Sequence, residues 1–392
     1  MNILFVLENY LPHIGGLETI FQNLMEGLVK EGHSVTLVTH QMKGTKKFEV
    51  IGGVKIHRVW SLQSRYIFTF FSIPKTIALS LNADIIHTTT YNATFPAKIA
   101  SLIRRIPIVI TVHEVLGKNW PRFGGMGYLK GKIHQLFEYL ILKLDYTRYV
   151  CVSNSTMNDL LKININEVKC RVIYNGLDYD FWDPQRYTKD KLHIRESFKL
   201  KDNFVYLFYG RPGISKGLEF LIRAVPLIKQ KIPNSKLLAI VSRDKAYEKQ
   251  YDKMIKLIKI LGIQDDVILH NPVPREDLPY FIKSADCVIV PSLTEGFGFN
   301  VAESCALGIP VVASNTHSIP EVISGKFVLV KPGSPKSITE GILAVHKKML
   351  NRTKIKRFLK GVAVHNYMKI YSQIYMKRSI KNMNITVPNS TH

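Results

Sequence analysis

The chain has 392 residues, 46% of them hydrophobic and 21% charged, which allows two or three domains of ordinary size and excludes a largely disordered or fibrous protein. Its formal charge of +24 is uneven: +6 over residues 1–185, +7 over 186–344 and +11 over 345–392, a segment without a single acid. Such a segment suits an anionic surface, whether membrane headgroups or nucleic acid, and reads equally as a solvated basic tail.

In chain order, the apolar run Ile3 to Leu7 is followed by a loop holding His13-Ile14-Gly15-Gly16. Apolar residues then recur at Leu17, Ile20, Phe21, Leu24 and Leu28, a helical spacing ended by Gly32. Val35 to Val38 completes a strand, helix, strand unit, which implies a parallel pair with a right-handed crossover. Short runs at 54–59, 85–86, 108–112, 149–152 and 172–174 continue the alternation, so the first half is read as a doubly wound α/β domain. Residues 66–81 are the most membrane-like, but they are too short to span a bilayer and are interrupted by Pro74-Lys75. Met1-Asn2 supplies no basic leader region. A cytoplasmic chain, or one peripheral on the cytoplasmic membrane face, is expected.

The stretch 120–148 places apolar residues at Leu136, Tyr139, Leu140 and Leu144 beside Lys143 and Arg148. Packing against the first sheet is the expected role, with an interfacial helix or an acceptor loop as the other readings. From Asn175-Gly176 to about Leu200 the chain is polar and interrupted by proline, as a linker would be. A second series of runs, at 204–209, 237–241, 267–269, 287–290, 311–313 and 328–330, predicts a second α/β domain, with a ligand cleft between the two. The expected limits are 1–183 plus a returning helix at about 365–381, then 184–364, with a loose tail over 382–392. Cys151, Cys170, Cys287 and Cys305 form no CxxC pair and read as buried free thiols.

Two glycine-rich stretches in the second half carry the chemistry. Gly210-Arg211-Pro212-Gly213-Ile214-Ser215-Lys216-Gly217 follows a strand and precedes a helix, a turn whose backbone N–H groups and helix N-terminus suit a phosphate. Arg211 adds a bidentate clamp and Lys216 a point charge, together suited to a diphosphate. Glu295 and Glu303 bracket Gly296-Phe297-Gly298-Phe299 at the end of another strand. Neither GxxxxGK[ST] nor a GxGxxG after the first strand occurs, which removes the main support for a P-loop and for nicotinamide or flavin chemistry.

Taken together, the tandem α/β pattern, Gly15-Gly16, GRPGISKG, and Glu295 and Glu303 followed by ALGIPVVAS resemble the retaining GT-B glycosyltransferases of family GT4. The likeness runs to about residue 380. It implies two Rossmann-like domains facing each other across a cleft and a C-terminal helix that returns to the first. It further implies sugar transfer from a nucleotide diphosphate sugar to a hydroxyl of a glycan or lipid-linked acceptor, with retained configuration and without a metal or other cofactor.

By position, the resemblance implies that Arg211 and Lys216 hold the diphosphate and stabilise it as it leaves, and that Glu303 accepts hydrogen bonds from the ribose. Glu295 would meet the donor sugar, and the backbone from Gly296 through Phe297 and Gly298 to Phe299 would cradle sugar and phosphate. Gly15 and Gly16 would lie against the diphosphate, and His113 would be the active-site histidine beside the sugar. Ser153 and the loop from Asn271 to Val273 would contact the nucleotide. Asp178-Tyr179-Asp180 imitates a metal-binding DxD but falls in the family's interdomain segment and is read as structural. Gly296 stands where the family often has proline. A nucleotide-sugar epimerase of the same architecture is the alternative. A nucleic-acid-binding role is not expected, since no aromatics are interleaved with the basic tail.

Overall fold

The computed structural model describes residues 1–385 apart from 14, 63, 126, 188–190 and 244–246. Among them are strands β1 (Asn2–Val6), β2 (Ser34–His40), β3 (Phe48–Ile51), β4 (Val54–Val59), β5 (Ile85–Thr89), β6 (Ile108–Val112), β7 (Arg148–Cys151) and β8 (Cys170–Val172). The later strands are β9 (Phe204–Gly210), β10 (Ser235–Val241), β11 (Val267–His270), β12 (Cys287–Val290), β13 (Val311–Ser314), β14 (Lys326–Val330) and β15 (Asn351–Arg352). The helices are α1 (Gly16–Lys30), α2 (Arg65–Leu79), α3 (Thr94–Arg104), α4 (Trp120–Phe123), α5 (Tyr128–Lys143), α6 (Asn154–Lys162) and α7 (Lys191–Ser197). They continue with α8 (Leu218–Lys231), α9 (Glu248–Ile260), α10 (Leu278–Ser284), α11 (Phe299–Ala306), α12 (Ile319–Val322), α13 (Pro335–His346) and α14 (Lys360–Ile385).

The chain divides into two compact units. Unit 1 holds Met1–Val115, Leu136–Gly176 and the chain from Phe358; unit 2 holds Leu116–Gln135 and Leu177–Arg357. The unit 1 sheet runs β3-β4-β2-β1-β5-β6-β7-β8 and is parallel except for β3. That strand was not evident in the sequence; it is one arm of a hairpin turned at Gly52 and Gly53, both at positive φ. One face of the sheet packs Phe21, Leu24 and Leu28 of α1 with Val364, Tyr367 and Tyr371 of α14. The other carries Phe68 of α2, Ala97 and Ala100 of α3 and Leu142 of α5. Because both faces are covered, β5 and β6 are buried along their whole length.

The closing helix is fixed by a buried polar chain as well as by apolar contact. His87 Nδ1 and the Tyr371 hydroxyl lie 2.6 Å apart, His87 Nε2 and the Thr111 hydroxyl 2.8 Å, and the Thr111 and Tyr367 hydroxyls 3.0 Å. Burial, followed by the charge His113 would carry, lowers the pKa of His87 to about 3, so the ring is neutral and can use one nitrogen as donor and the other as acceptor. Helix α14 extends to Ile385, so the start of the expected tail is helical, while 386–392 lie outside the described residues.

Two expectations are corrected. The polar segment 176–200 is not a bare linker: Trp182 and Leu200 are buried, and α7 is docked through Arg195, whose guanidinium donates to Asp286 at 2.7 Å and to the Ser284 carbonyl at 2.8 Å. Helix α5 does not lay its predicted apolar stripe on the sheet. Leu136, Tyr139 and Leu140 are exposed, and the inward positions belong to Gly131, Glu138, Ile141 and Leu142. Gly131 is needed on that side because a Cβ there would come within 2.4 Å of Pro121 Cα.

Unit 2 has the order β11-β10-β9-β12-β13-β14-β15, parallel except for the last strand. Helices α8, α9 and α13 pack on one face of it, with Leu221, Val225, Met254, Ile338 and Ile342 in a common core.

Replacing the Tyr371 hydroxyl in Tyr371→Phe leaves His87 Nδ1 buried without a partner and is expected to cost about 1–3 kcal/mol, read as a lowered urea midpoint at unchanged m-value.

Candidate functional site

In unit 2 the chain enters the sheet at β9, runs outward through β10 and β11, and returns to the other side of β9 at β12. The strand order therefore reverses between β9 and β12, and it is beyond the carboxyl ends of the strands at such a reversal that ligands bind in open α/β sheets. GRPGISKG leaves β9 to begin α8, and EGFGFNVAE leaves β12 to begin α11. Two helix N-termini, each with N–H groups lacking intrahelical partners, thus start beside one another.

The loops are joined directly. Lys216 Nζ donates to both oxygens of Glu295, at 2.9 and 2.7 Å, and the Ser292 hydroxyl donates to Glu295 Oε2 at 3.2 Å. The Leu293 N–H donates to the Ser215 carbonyl at 2.7 Å, and the Ser318 hydroxyl to the Glu295 carbonyl at 2.8 Å. Gly217 caps α8 at φ 70°, and a Cβ there would lie 2.0 Å from the Pro291 carbonyl oxygen. No other residue lets the first loop approach the second so closely. Gly298 caps α11 at φ 94°, with the Phe297 and Phe299 rings edge-on at 5.1 Å. Arg211 lies exposed, its guanidinium donating to the Tyr247 hydroxyl at 2.9 Å.

Glu303 sits one turn into α11, where the Tyr209 hydroxyl at the end of β9 donates to it at 3.0 Å and also approaches the Asn300 carbonyl and the Ser304 hydroxyl. Asn300 in turn donates to the Tyr209 carbonyl. Although its surface is only partly covered, Glu303 is densely surrounded, and this desolvation raises its carboxyl from 4.5 to about 7; the Tyr209 hydrogen bond and the charge of Arg275 pull the other way. Tyr209 is pushed well above its usual value by burial and then by Glu303. Arg275 and Val273 belong to the loop between β11 and α10.

The unit 1 residues are more mixed. Gly16 opens α1 and Gly15 caps it in an extended conformation, but a Cβ on Gly15 would meet Glu18 Oε2 at 2.5 Å. Glu18 is buried and paired with His13 at 3.1 Å, so a carboxylate already serves this helix N-terminus. The Ser153 hydroxyl accepts from the Thr156 N–H at 3.1 Å as the N-cap of α6, so it serves the helix. His113 follows β6 with its ring edge-on to Phe21 at 5.7 Å and with Nε2 buried and unpartnered. Burial lowers its pKa to about 4, so it is a neutral imidazole at pH 7. Asp178 Oδ1 accepts from the N–H groups of Asp180 and Phe181, a local turn. Among the described residues no group of three or more His, Cys, Asp or Glu is placed to hold a metal ion.

Sequence reading missed a polar cluster at the strand reversal of unit 1, between β1 and β5. Glu8, just past β1, accepts from Asn92 at 3.1 Å and pairs with Arg65 at 3.3 Å. Close by, His40 is buried with neither ring nitrogen partnered, its pKa lowered by burial first and by Arg58 and His13, against the pull of Glu8. Only the run ending at Leu7 pointed there.

The sequence model described as glycosyl transferases group 1 matches residues 190–359, and that described as glycosyltransferase family 4 matches 14–181. An uncharacterized glycosyltransferase of Methanocaldococcus jannaschii is 31% identical over 354 residues, covering 87% of this chain and 88% of that protein. One of the human phosphatidylinositol N-acetylglucosaminyltransferase subunits is 25% identical, over 94% of this chain and 72% of its own length. The crystal structure of Anabaena HepE in complex with UDP-glucose superposes with a TM-score of 0.72 at 18% identity, covering 98% of this chain and all of that one. Such a likeness shows the fold, which is GT-B.

For Glu303 the sign of the pH dependence is fixed. The folded carboxyl keeps its proton to about pH 7 and an unfolded one releases it near 4.5, so between these values the folded state binds more protons and stability falls as pH rises. Between pH 5 and 8 the wild type is expected to lose on the order of 2 kcal/mol relative to Glu303→Gln, measured by urea unfolding without ligand.

Proposed function

This chain belongs to the group 1, family 4 glycosyltransferases, and on that premise we propose that it moves a sugar from a nucleotide diphosphate sugar to a hydroxyl on a lipid-linked or growing glycan acceptor, with retained configuration and without a metal. The observation that carries the reading is the pair of helix N-termini beside Lys216 and Arg211 at the reversal between β9 and β12. A diphosphate there meets backbone donors and two cations, and its charge increases as the glycosidic bond breaks, so these groups hold it more tightly in the transition state than in the ground state. UDP as the donor nucleotide is supported by the HepE complex.

Glu303, when ionised, offers two acceptor oxygens to the ribose hydroxyls, and the loop at Val273 is assigned to the base. Glu295 is assigned to the donor sugar, with the backbone of Gly296, Phe297, Gly298 and Phe299 around sugar and phosphate. Its carboxylate is engaged by Lys216 and Ser292, which makes it a poor covalent nucleophile. Front-face attack fits better: the acceptor hydroxyl approaches on the leaving side, its proton passes to the departing phosphate oxygen, and configuration is kept. Within unit 1, Gly15, Gly16 and Ser153 are assigned to the donor, and Glu8, Arg65, Asn92 and His40 to the acceptor. Neutral His113 supplies a hydrogen bond without a charge. A lipid-linked acceptor is supported by the human relative, named for phosphatidylinositol, and with such an acceptor the enzyme works at an anionic membrane surface on the cytoplasmic side.

Lys216→Ala and Arg211→Ala are each expected to lower kcat about 100-fold or more with the fold intact, whereas Glu303→Ala acts on donor affinity, raising the Kd for UDP-glucose about tenfold. Rates near wild type in both cation variants contradict the diphosphate assignment. Release of free nucleotide diphosphate only when acceptor is added separates transfer from epimerisation.

A further inference from the structure

Strand β3 ends the unit 1 sheet: β4 lies on one side of it, and among the described residues no strand lies on the other. Its register with β4 settles which backbone groups are left over. Phe48 stands opposite His57, Glu49 opposite Ile56, Val50 opposite Lys55 and Ile51 opposite Val54, and the Arg58 N–H donates to the Lys47 carbonyl at 2.8 Å. Bonded and unbonded pairs alternate along an antiparallel ladder, so Lys47, Glu49 and Ile51 turn their N–H and C=O groups toward β4, while those of Phe48 and Val50 point away from the sheet. A free edge of this kind is a template for another strand.

The side chains divide in the same way. Ile51, with Val54 and Ile56 of β4, faces the core beneath α1, and on that face Glu49 Oε1 accepts from the Arg58 guanidinium at 2.8 and 2.6 Å. Phe48 and Val50 take the opposite face and are 51% and 57% exposed. Lys46 and Lys47, both exposed, precede the strand. Its far end turns at Gly52 and Gly53, where a Cβ on Gly52 would lie 2.6 Å from Cγ of Glu26 on α1. The edge is thus basic at one end, acidic at the other and apolar between.

We propose that β3 pairs with β3 of a second copy of this chain, antiparallel about a two-fold axis at Val50, so that the two unit 1 sheets become one. In this register Val50 meets Val50 of the second copy as a bonded pair and Phe48 meets its Gly52, which uses the outward N–H and C=O groups of both strands. The two phenylalanines and two valines then adjoin on one face. On the other face Glu49 comes opposite Ile51 of the second copy, and Lys47 opposite its Gly53, beside its Glu26. An axis at Glu49 would also satisfy the outward groups, but it sets the two Glu49 carboxylates against each other, and like charges directly across a strand pair are destabilising. The edge is therefore complementary to itself, as a closed two-fold interface requires. The seam is short, which places the dimer among the weaker, reversible associations. Sugar transfer has no part in this argument.

The test is sedimentation velocity of the full chain, without ligand, over about 1 to 100 µM, the range in which so small an interface assembles. A reversible monomer to dimer equilibrium is expected. Val50→Lys sets two ammonium groups across the axis, and Val50→Pro removes the N–H that crosses it while leaving the inward bonds of Lys47, Glu49 and Ile51. Each should weaken the dimer at least about tenfold, and Val50→Lys should do so with the urea midpoint close to that of the wild type. Val50→Cys is the positive arm: Cα atoms of a bonded antiparallel pair lie about 5.5 Å apart, within disulfide reach. The four native thiols are buried, so diamide, which takes up the two electrons and two protons, should convert this variant to a covalent dimer on a non-reducing gel. Phe48→Cys, opposite Gly52 of the second copy, should stay monomeric on the same gel. A monomer at every concentration overturns the proposal. So does a dimer that Val50→Lys and Val50→Pro leave intact, or cross-linking that is equal at positions 48 and 50.

Discussion

Between the ends of β9 and β12 the Lys216 ammonium is held by the Glu295 carboxylate at 2.7 Å, with the two side chains only 20% and 14% exposed. A pair this covered loses hydration on both sides, so its net contribution to stability is small, and its value lies in fixing geometry. It ties the loop that starts α8 to the loop that starts α11. Gly217 lets the backbones touch at Pro291, and the Leu293 to Ser215 hydrogen bond closes the contact. Breaking the pair would leave a charge in a place water scarcely reaches. On the proposed reading, a diphosphate would come to Lys216 as a second anion beside the Glu295 carboxylate, which the ammonium would continue to engage.

Glu303 carries the complementary constraint. Its proton is held to about pH 7 by crowding, so without ligand it is poised between a neutral acid and an anion. Hydroxyl donors favour the anion and would lower its pKa on binding. Tyr209, at the carboxyl end of β9, orients that carboxyl from the strand adjoining β12. The arrangement is thus a product of sheet order: adjacent parallel strands and their helix starts bring backbone donors, the Lys216 ammonium and the Glu303 carboxyl to one strand reversal.

The alternation of apolar runs with helical spacing made both sheets legible, and glycine-rich strand-to-helix turns marked the two loops of unit 2. These signals are local. The bonds from Lys216 to Glu295 and from Tyr209 to Glu303 span 79 and 94 residues and left no trace in spacing. Helix α5 shows a different limit: periodicity reveals an apolar stripe but not whether it faces the sheet or the solvent, and here Gly131, Glu138 and Leu142 take the inward side. Glu8 and His40 went unnoticed because isolated polar residues at strand ends carry no pattern. The apparent linker concealed α7, whose anchor is a single arginine reaching across to Asp286.

The central claim is that the reversal between β9 and β12 holds the diphosphate of a nucleotide sugar. A crystal soaked with UDP-glucose tests it most directly. The account predicts phosphate oxygens within hydrogen-bond distance of Lys216 and of the N-terminal N–H groups of α8 and α11, with the ribose on Glu303. Nucleotide density elsewhere, with the Tyr209–Glu303 bond undisturbed, would contradict it.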